Sequence, residues 1–207
     1  MNSNSITHYQ LILDASGSMG SIRIETLNSV NRQIEAIREM AQRNPDQKLK
    51  ISLTLFNTVT RKAFSNLKPE KTSLLPQSQY QTEGSTALLD AIGLSISDLK
   101  ENKATEDDVV MVIITDGEEN ASQYFSFEQI AESIRQLKAT EQWTFTFLGA
   151  DIDAWSIASR LQIDRDEVKS FNKERIDMVM EENTVFLEKY MKGKREGKRD
   201  GFIKDSN

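Results

Sequence analysis

Two hydrophobic periods alternate along this chain. Tyr9-Gln10-Leu11-Ile12-Leu13 is a short apolar run of the kind a buried strand makes. Residues 24–41 instead repeat apolar side chains at Leu27, Val30, Ile34, Ile37 and Ala41, the spacing of one helix face. Residues 49–56 alternate as a strand, and Asn57-Thr58 leads tightly into a short edge strand at 61–64. So short a connection allows only an antiparallel pair, because a parallel crossover needs a dozen residues or more. A polar loop with Pro69 and Pro76 follows, and then a helix over 87–99 with Leu88, Leu89, Ile92, Ile96 and Leu99 on one side.

The second half repeats the pattern. Val109-Val110-Met111-Val112-Ile113-Ile114 is continuously apolar, as a central parallel strand covered on both faces is. Ser126-Phe127-Glu128-Gln129 has the spacing of a capping box that opens a helix through Leu137. A strand over 143–148, a short helix over 154–161, a weak strand over 168–171 and a long helix over 173–191 complete the series. Strand–helix alternation predicts an α/β fold: a doubly wound, mostly parallel sheet with helices on both faces.

Length and composition narrow the class. The 207 residues favour one domain with a tail, divided here into 1–191 and a basic, solvated segment at 192–207. That segment nearly repeats itself, as Gly193-Lys194-Arg195-Glu196 and then Gly197-Lys198-Arg199-Asp200. It reads as a frayed tail or, more sharply, as a strip touching phosphate or an acidic partner. A net charge of -6 argues against nucleic acid as a partner. With 0 Cys there is no disulfide, thiolate metal site or cysteine nucleophile. No apolar run is long enough to span a bilayer, and residues 1–5 carry no secretory signal, so a cytoplasmic location is expected.

Candidate chemistry gathers where apolar runs end. Asp14-Ala15-Ser16-Gly17-Ser18-Met19-Gly20 places one carboxylate and two hydroxyls at alternate positions, on one side of an extended backbone. Ligands of open α/β sheets bind outside the carboxyl ends of the strands. Thr115-Asp116-Gly117 puts a second carboxylate at such an end, and Gly84-Ser85-Thr86 a further hydroxyl at a helix start. If the two strands are neighbours, Asp14, Ser16, Ser18, Thr86 and Asp116 face one crevice. Carboxylates with neutral hydroxyls form a hard oxygen set, suited to Mg²⁺ or Mn²⁺ rather than to zinc or copper.

Asp14-x-Ser16-x-Ser18, Thr86 and Asp116-Gly117, in this order, resemble the metal-ion-dependent adhesion site of von Willebrand factor type A (vWA) domains. The resemblance covers about residues 6–190, and the wording around Thr86 and Asp116 is more similar to intracellular bacterial members than to secreted adhesive ones. It implies a six-stranded sheet ordered 3-2-1-4-5-6 with one antiparallel edge strand. It also implies direct metal binding by Ser16 and Ser18, and by Thr86 when a ligand is present. Asp14 and Asp116 would act largely through water or hydrogen bonds. The implied function is a metal-dependent protein-binding module whose partner supplies an Asp or Glu to the ion.

Other classes fit less well. The only histidine, His8, precedes the first strand and so belongs at the far end of the sheet from Ser18, which leaves no Ser-His-Asp triad. There is no phosphate-binding Gly-x-x-x-x-Gly-Lys loop. Phosphoryl transfer from Asp14 would want a lysine at the end of a later strand, where Leu148-Gly149-Ala150 stands. The expectation is therefore no enzyme, with a metal-stabilised scaffold as the alternative. Glu118 and Glu119 read as a solvated rim or as contacts that choose a partner. Asp151 and Asp153 read as helix caps.

Overall fold

In the computed structural model, which describes residues 5–196, six strands form one sheet in the order β3-β2-β1-β4-β5-β6. They are β1 (Thr7–Asp14), β2 (Leu49–Phe56), β3 (Thr60–Leu67), β4 (Asp108–Thr115), β5 (Trp143–Ala150) and β6 (Val168–Phe171). All pairs are parallel except β2 with β3, as the short 57–58 connection requires. Five α-helices cover the sheet: α1 (Arg23–Arg43), α2 (Leu88–Asn102), α3 (Phe127–Lys138), α4 (Ala154–Arg160) and α5 (Ile176–Arg195).

The two faces have separate cores. Tyr9, Leu11 and Leu13 of β1, with Val110, Val112 and Ile114 of β4, pack under α1 and α5. Ile12 of β1, with Val109, Met111 and Ile113 of β4, packs under α2, α3 and α4. Alternate residues of one strand therefore serve opposite cores, which is why β4 is apolar from Val109 to Ile114. Each aliphatic side chain taken out of water contributes about 1.5–3 kcal/mol. The central strands, buried along their whole length, are thus the rigid part of the fold, and the crevice stands at their ends.

Several boundaries differ from expectation for identifiable reasons. β3 is longer than 61–64 because backbone pairing with β2 extends it, although most of its side chains are only partly buried or exposed and carry no apolar alternation. Residues 173–191 do not form one helix: a 3-10 turn, Lys173–Arg175, precedes α5. α5 then runs past Met191 to Arg195, so residues 192–195 are helical. Its last turn is tied down by the Lys194 ammonium, 2.7 Å from Asp108 and 2.9 Å from the Thr7 hydroxyl. The repeat at residues 197–200 lies outside the described residues. His8 lies within β1 rather than before it, at the amino end of the strand.

A candidate metal centre at the carboxyl edge of the sheet

β1 and β4 are neighbours, with Leu13 beside Ile114, so Asp14 and the Thr115-Asp116 pair leave the sheet side by side. Gly17–Ile22 is a 3-10 turn, and Ser16, just before it, is extended. Backbone bonds then bring the distant Gly84 loop alongside. The Gly17 N–H donates to Gly84 O at 3.1 Å, and the Glu83 N–H donates to Ala15 O at 3.0 Å. Gly84 has φ +73, and an added Cβ would stand 2.6 Å from Thr58 Oγ1, so the loop needs glycine there.

Within this frame the side chains form a connected set. Ser16 Oγ and Ser18 Oγ are 3.1 Å apart, and Ser18 Oγ donates to Asp116 Oδ1 at 2.6 Å. Ser18 has one hydroxyl proton and gives it to Asp116, so Ser16 is the donor in the Ser16–Ser18 bond. Asp14 is wholly buried; its Oδ1 accepts the Ser16 N–H and its Oδ2 the Thr115 hydroxyl, each at 2.6 Å. Burial pushes the Asp14 carboxyl above its ordinary range, and the charge of Asp116 adds to this against the Thr115 and Ser16 hydrogen bonds. A Cβ on Gly117 would come within 2.9 Å of Thr86 Oγ1 and 3.7 Å of Ser18 Oγ, so the space above Gly117 lies between these two hydroxyls.

Asp14, Ser16, Ser18, Thr86 and Asp116 are therefore gathered at one crevice. The five side chains offer only oxygen atoms, which fits a hard divalent cation, and Asp116 Oδ2 is buried without a hydrogen bond. The Lys173 ammonium lies 2.6 Å from that atom, an ion-pair contact without hydrogen-bond alignment. Among the described residues no cluster of three His, Cys, Asp or Glu could hold a metal, so any ion here depends on the hydroxyls.

Several residues around the crevice escape a reading of the sequence. Thr115, whose hydroxyl holds Asp14, closes the apolar run of β4 and reads as an ordinary strand residue. Tyr80, from the proline loop, is buried and donates its hydroxyl to Asp14 O at 2.8 Å. Burial, then the nearby charges of Asp14 and Asp116, push that phenol above its ordinary range. Glu119 is neither a solvated rim nor turned outward. Its carboxylate accepts the Leu89 N–H at the start of α2, the Ala121 and Ser122 N–H groups, and the Ser122 hydroxyl. Asn120 accepts the Thr86 N–H, which fixes that backbone. Only the run Glu118-Glu119-Asn120 itself marked the place, without saying which way it faces.

The two later aspartates divide. Asp153 caps α4 through the Ser156 N–H. Asp151 caps no helix: at φ 55 it accepts the backbone N–H of Lys173 at 3.2 Å. The end of β5 carries Leu148-Gly149-Ala150 and no lysine, as expected, but a lysine reaches the site from beyond β6. It contacts Asp116, whereas both oxygens of Asp14 are already engaged and shielded from solvent.

A family model for the von Willebrand factor type A domain matches residues 10–119, more than half of the chain, and the chain belongs to that family. No curated protein sequence matches it. Among solved structures it is similar to proximal thread matrix protein 1 (PTMP1) from the mussel byssus, with TM-score 0.62 and 16% identity over 88% of this chain and 46% of that one. It is also similar to the ArnB paralog VWA2 from Sulfolobus acidocaldarius, with TM-score 0.58 and 17% identity over 86% of this chain and 45% of that one. Manganese-loaded Plasmodium vivax TRAP gives TM-score 0.58 and 14% identity over 86% of this chain and 72% of that one. A second structure of the mussel protein has a zinc-occupied MIDAS motif. The chain thus spans less than half the length of the first two of these proteins, and at such identities the likeness establishes the fold.

Proposed function

We propose that this domain is a metal-dependent protein-binding module. The observation that carries the reading is the hydrogen-bonded run Ser16–Ser18–Asp116 beside Thr86, with one buried Asp116 oxygen lacking a hydrogen bond. Ser16, Ser18 and Thr86 would hold the cation through neutral hydroxyls, and Asp14 and Asp116 would orient those hydroxyls and anchor the loops. An ion so held supplies positive charge that its ligands leave uncancelled, and an open position for a partner's Asp or Glu. The acidic chain gives little general attraction to an acidic partner, so the ion must carry the specificity.

The oxygen set favours Mg²⁺ or Mn²⁺. Manganese in the TRAP structure supports a divalent ion, and zinc in the mussel protein keeps zinc among the candidates despite the oxygen ligands. Catalysis has little support. Asp14 is sealed from solvent, and His8, about 20 Å away along β1, pairs with Asp107 instead.

Calorimetric titration with Mn²⁺, repeated with Mg²⁺ and Zn²⁺, tests the site. Asp14→Ala and Ser16→Ala should abolish or severely weaken binding, whereas variants indistinguishable from wild type would place the ion elsewhere. Pull-down in Mg²⁺ and again in EDTA then identifies the partner. Thr86→Ala should weaken that complex more than it weakens the ion, and a complex indifferent to both changes would leave the metal a structural role.

A further inference from the structure

We propose that Lys173 is a tethered cation that competes with the divalent ion for Asp116 and so sets how tightly the site holds metal. The inference rests on the metal-binding reading above and concerns its regulation. The Lys173 ammonium stands 2.6 Å from Asp116 Oδ2 and donates to Ser18 O at 3.1 Å. It therefore touches two of the five residues assigned to the metal, and does so on the Asp116 oxygen that Ser18 Oγ leaves free.

The placement is built rather than incidental. Lys173 opens the 3-10 turn after β6, two strands away from β4, and its side chain crosses the end of β5 to reach the crevice. Asp151, at the end of β5, holds its backbone N–H, and the Asp151 N–H donates to Phe171 O at 2.8 Å. Lys173 is thus anchored at its main chain, and its side chain is only 21% exposed. Its partner, the Asp116 carboxylate, is 0% exposed.

A carboxylate taken so far out of water needs a compensating charge, and the ammonium supplies it. A divalent ion bound among the same oxygens meets that ammonium at short range. Either Lys173 withdraws into solvent, leaving a charge pair behind, or the two cations repel each other across a poorly screened gap. Both routes lower metal affinity, so metal uptake here is an exchange of one cation for another. The same lysine keeps Asp116 neutralised and its loop in position until the exchange occurs.

The test compares Mn²⁺ binding by calorimetry in wild type, Lys173→Met and Lys173→Gln, with Arg175→Met as the charge control. Arg175 lies on the same turn and contacts Met178 Sδ at 2.9 Å, so removing it changes net charge equally without touching Asp116. Both Lys173 variants should bind Mn²⁺ about tenfold more tightly, the scale of one cation–cation repulsion at partial screening, and Arg175→Met should match wild type. In EDTA the Lys173 variants should melt below wild type, and the gap should close in saturating Mn²⁺. Wild-type binding with no gain in either Lys173 variant would overturn the competition and leave the metal site standing. Gains of equal size in Arg175→Met would reduce the effect to general charge and also overturn it. No Mn²⁺ binding by any of the four proteins would sink both this inference and the metal reading beneath it.

Discussion

The Thr115 hydroxyl illustrates how much of the crevice depends on groups that never face it. Its proton goes to Asp14 Oδ2, and its oxygen accepts the Gly117 N–H at 3.2 Å. Thr115→Val keeps the shape and removes the donor, leaving a wholly buried carboxylate oxygen unpaired. The expected cost is about 1–3 kcal/mol in urea unfolding, with weaker Mn²⁺ binding in calorimetry because Asp14 is no longer held. An unchanged unfolding midpoint would mean that Asp14 finds another donor. The five proposed metal residues were readable because their types and order are informative in one dimension. Thr115, Tyr80 and Lys173 were not, since each matters only once β4 lies beside β1, or once a loop or lysine from elsewhere folds over the end of the sheet.

Elements were legible in proportion to how local their causes are. The α3 capping box is a four-residue device: Ser126 Oγ accepts the Gln129 N–H, and the Gln129 side chain accepts the Ser126 N–H. Ser126→Ala should therefore lower stability by about 1 kcal/mol, read from urea unfolding, without altering Mn²⁺ binding, because α3 packs chiefly on α2, α4 and β5. α2 is the contrasting case. Its N-cap, Ala87, has no capping side chain, and its first turn is satisfied from outside by Glu119 and Ser122. Asp90 returns the bonds by accepting the N–H groups of Gln123, Tyr124 and Phe125. This reciprocal clamp fastens the loop after β4 to the helix after Thr86, and no sequence window contains both halves. The same distance hides the end of α5, which stops at Arg195 rather than Met191 because Lys194 finds Asp108 and Thr7.

At the scale of the molecule, the end of the sheet opposite the crevice contains a buried pair, His8 Nε2 and Asp107 Oδ2 at 3.1 Å. Burial pushes the His8 imidazole below its ordinary value, and Lys50 and Lys103 add to that against the pull of Asp107. Asp107 also titrates below its ordinary value: burial opposes this, but the Ile6 N–H, the His8 ring and the Ala104 N–H outweigh it. In both cases the unfolded chain binds the proton first, so stability is lost on acidification. The His8 contribution falls away as pH drops below about 6.5, and that of Asp107 below the ordinary carboxylate range. Asp14, with its raised value, acts in the opposite sense at acid pH. Urea midpoints at pH 7.5 and 5.5 should therefore fall further for wild type than for His8→Gln. Equal falls would remove His8 as the titrating group.

The position of α5 also bears on how the molecule is made. Synthesis at about 5–20 residues per second completes β1 through β6 before α5 emerges. Until then Leu11, Leu13, Val112 and Ile114, which share a core with Val179 and Leu187, have only part of their cover. Lys173 opens the turn that leads directly into α5 and is made just ahead of it. A nascent chain on the ribosome thus carries a half-covered apolar sheet face and an Asp116 without its ammonium. Both are completed in one short stretch of translation, so the crevice and the shield over the sheet mature together.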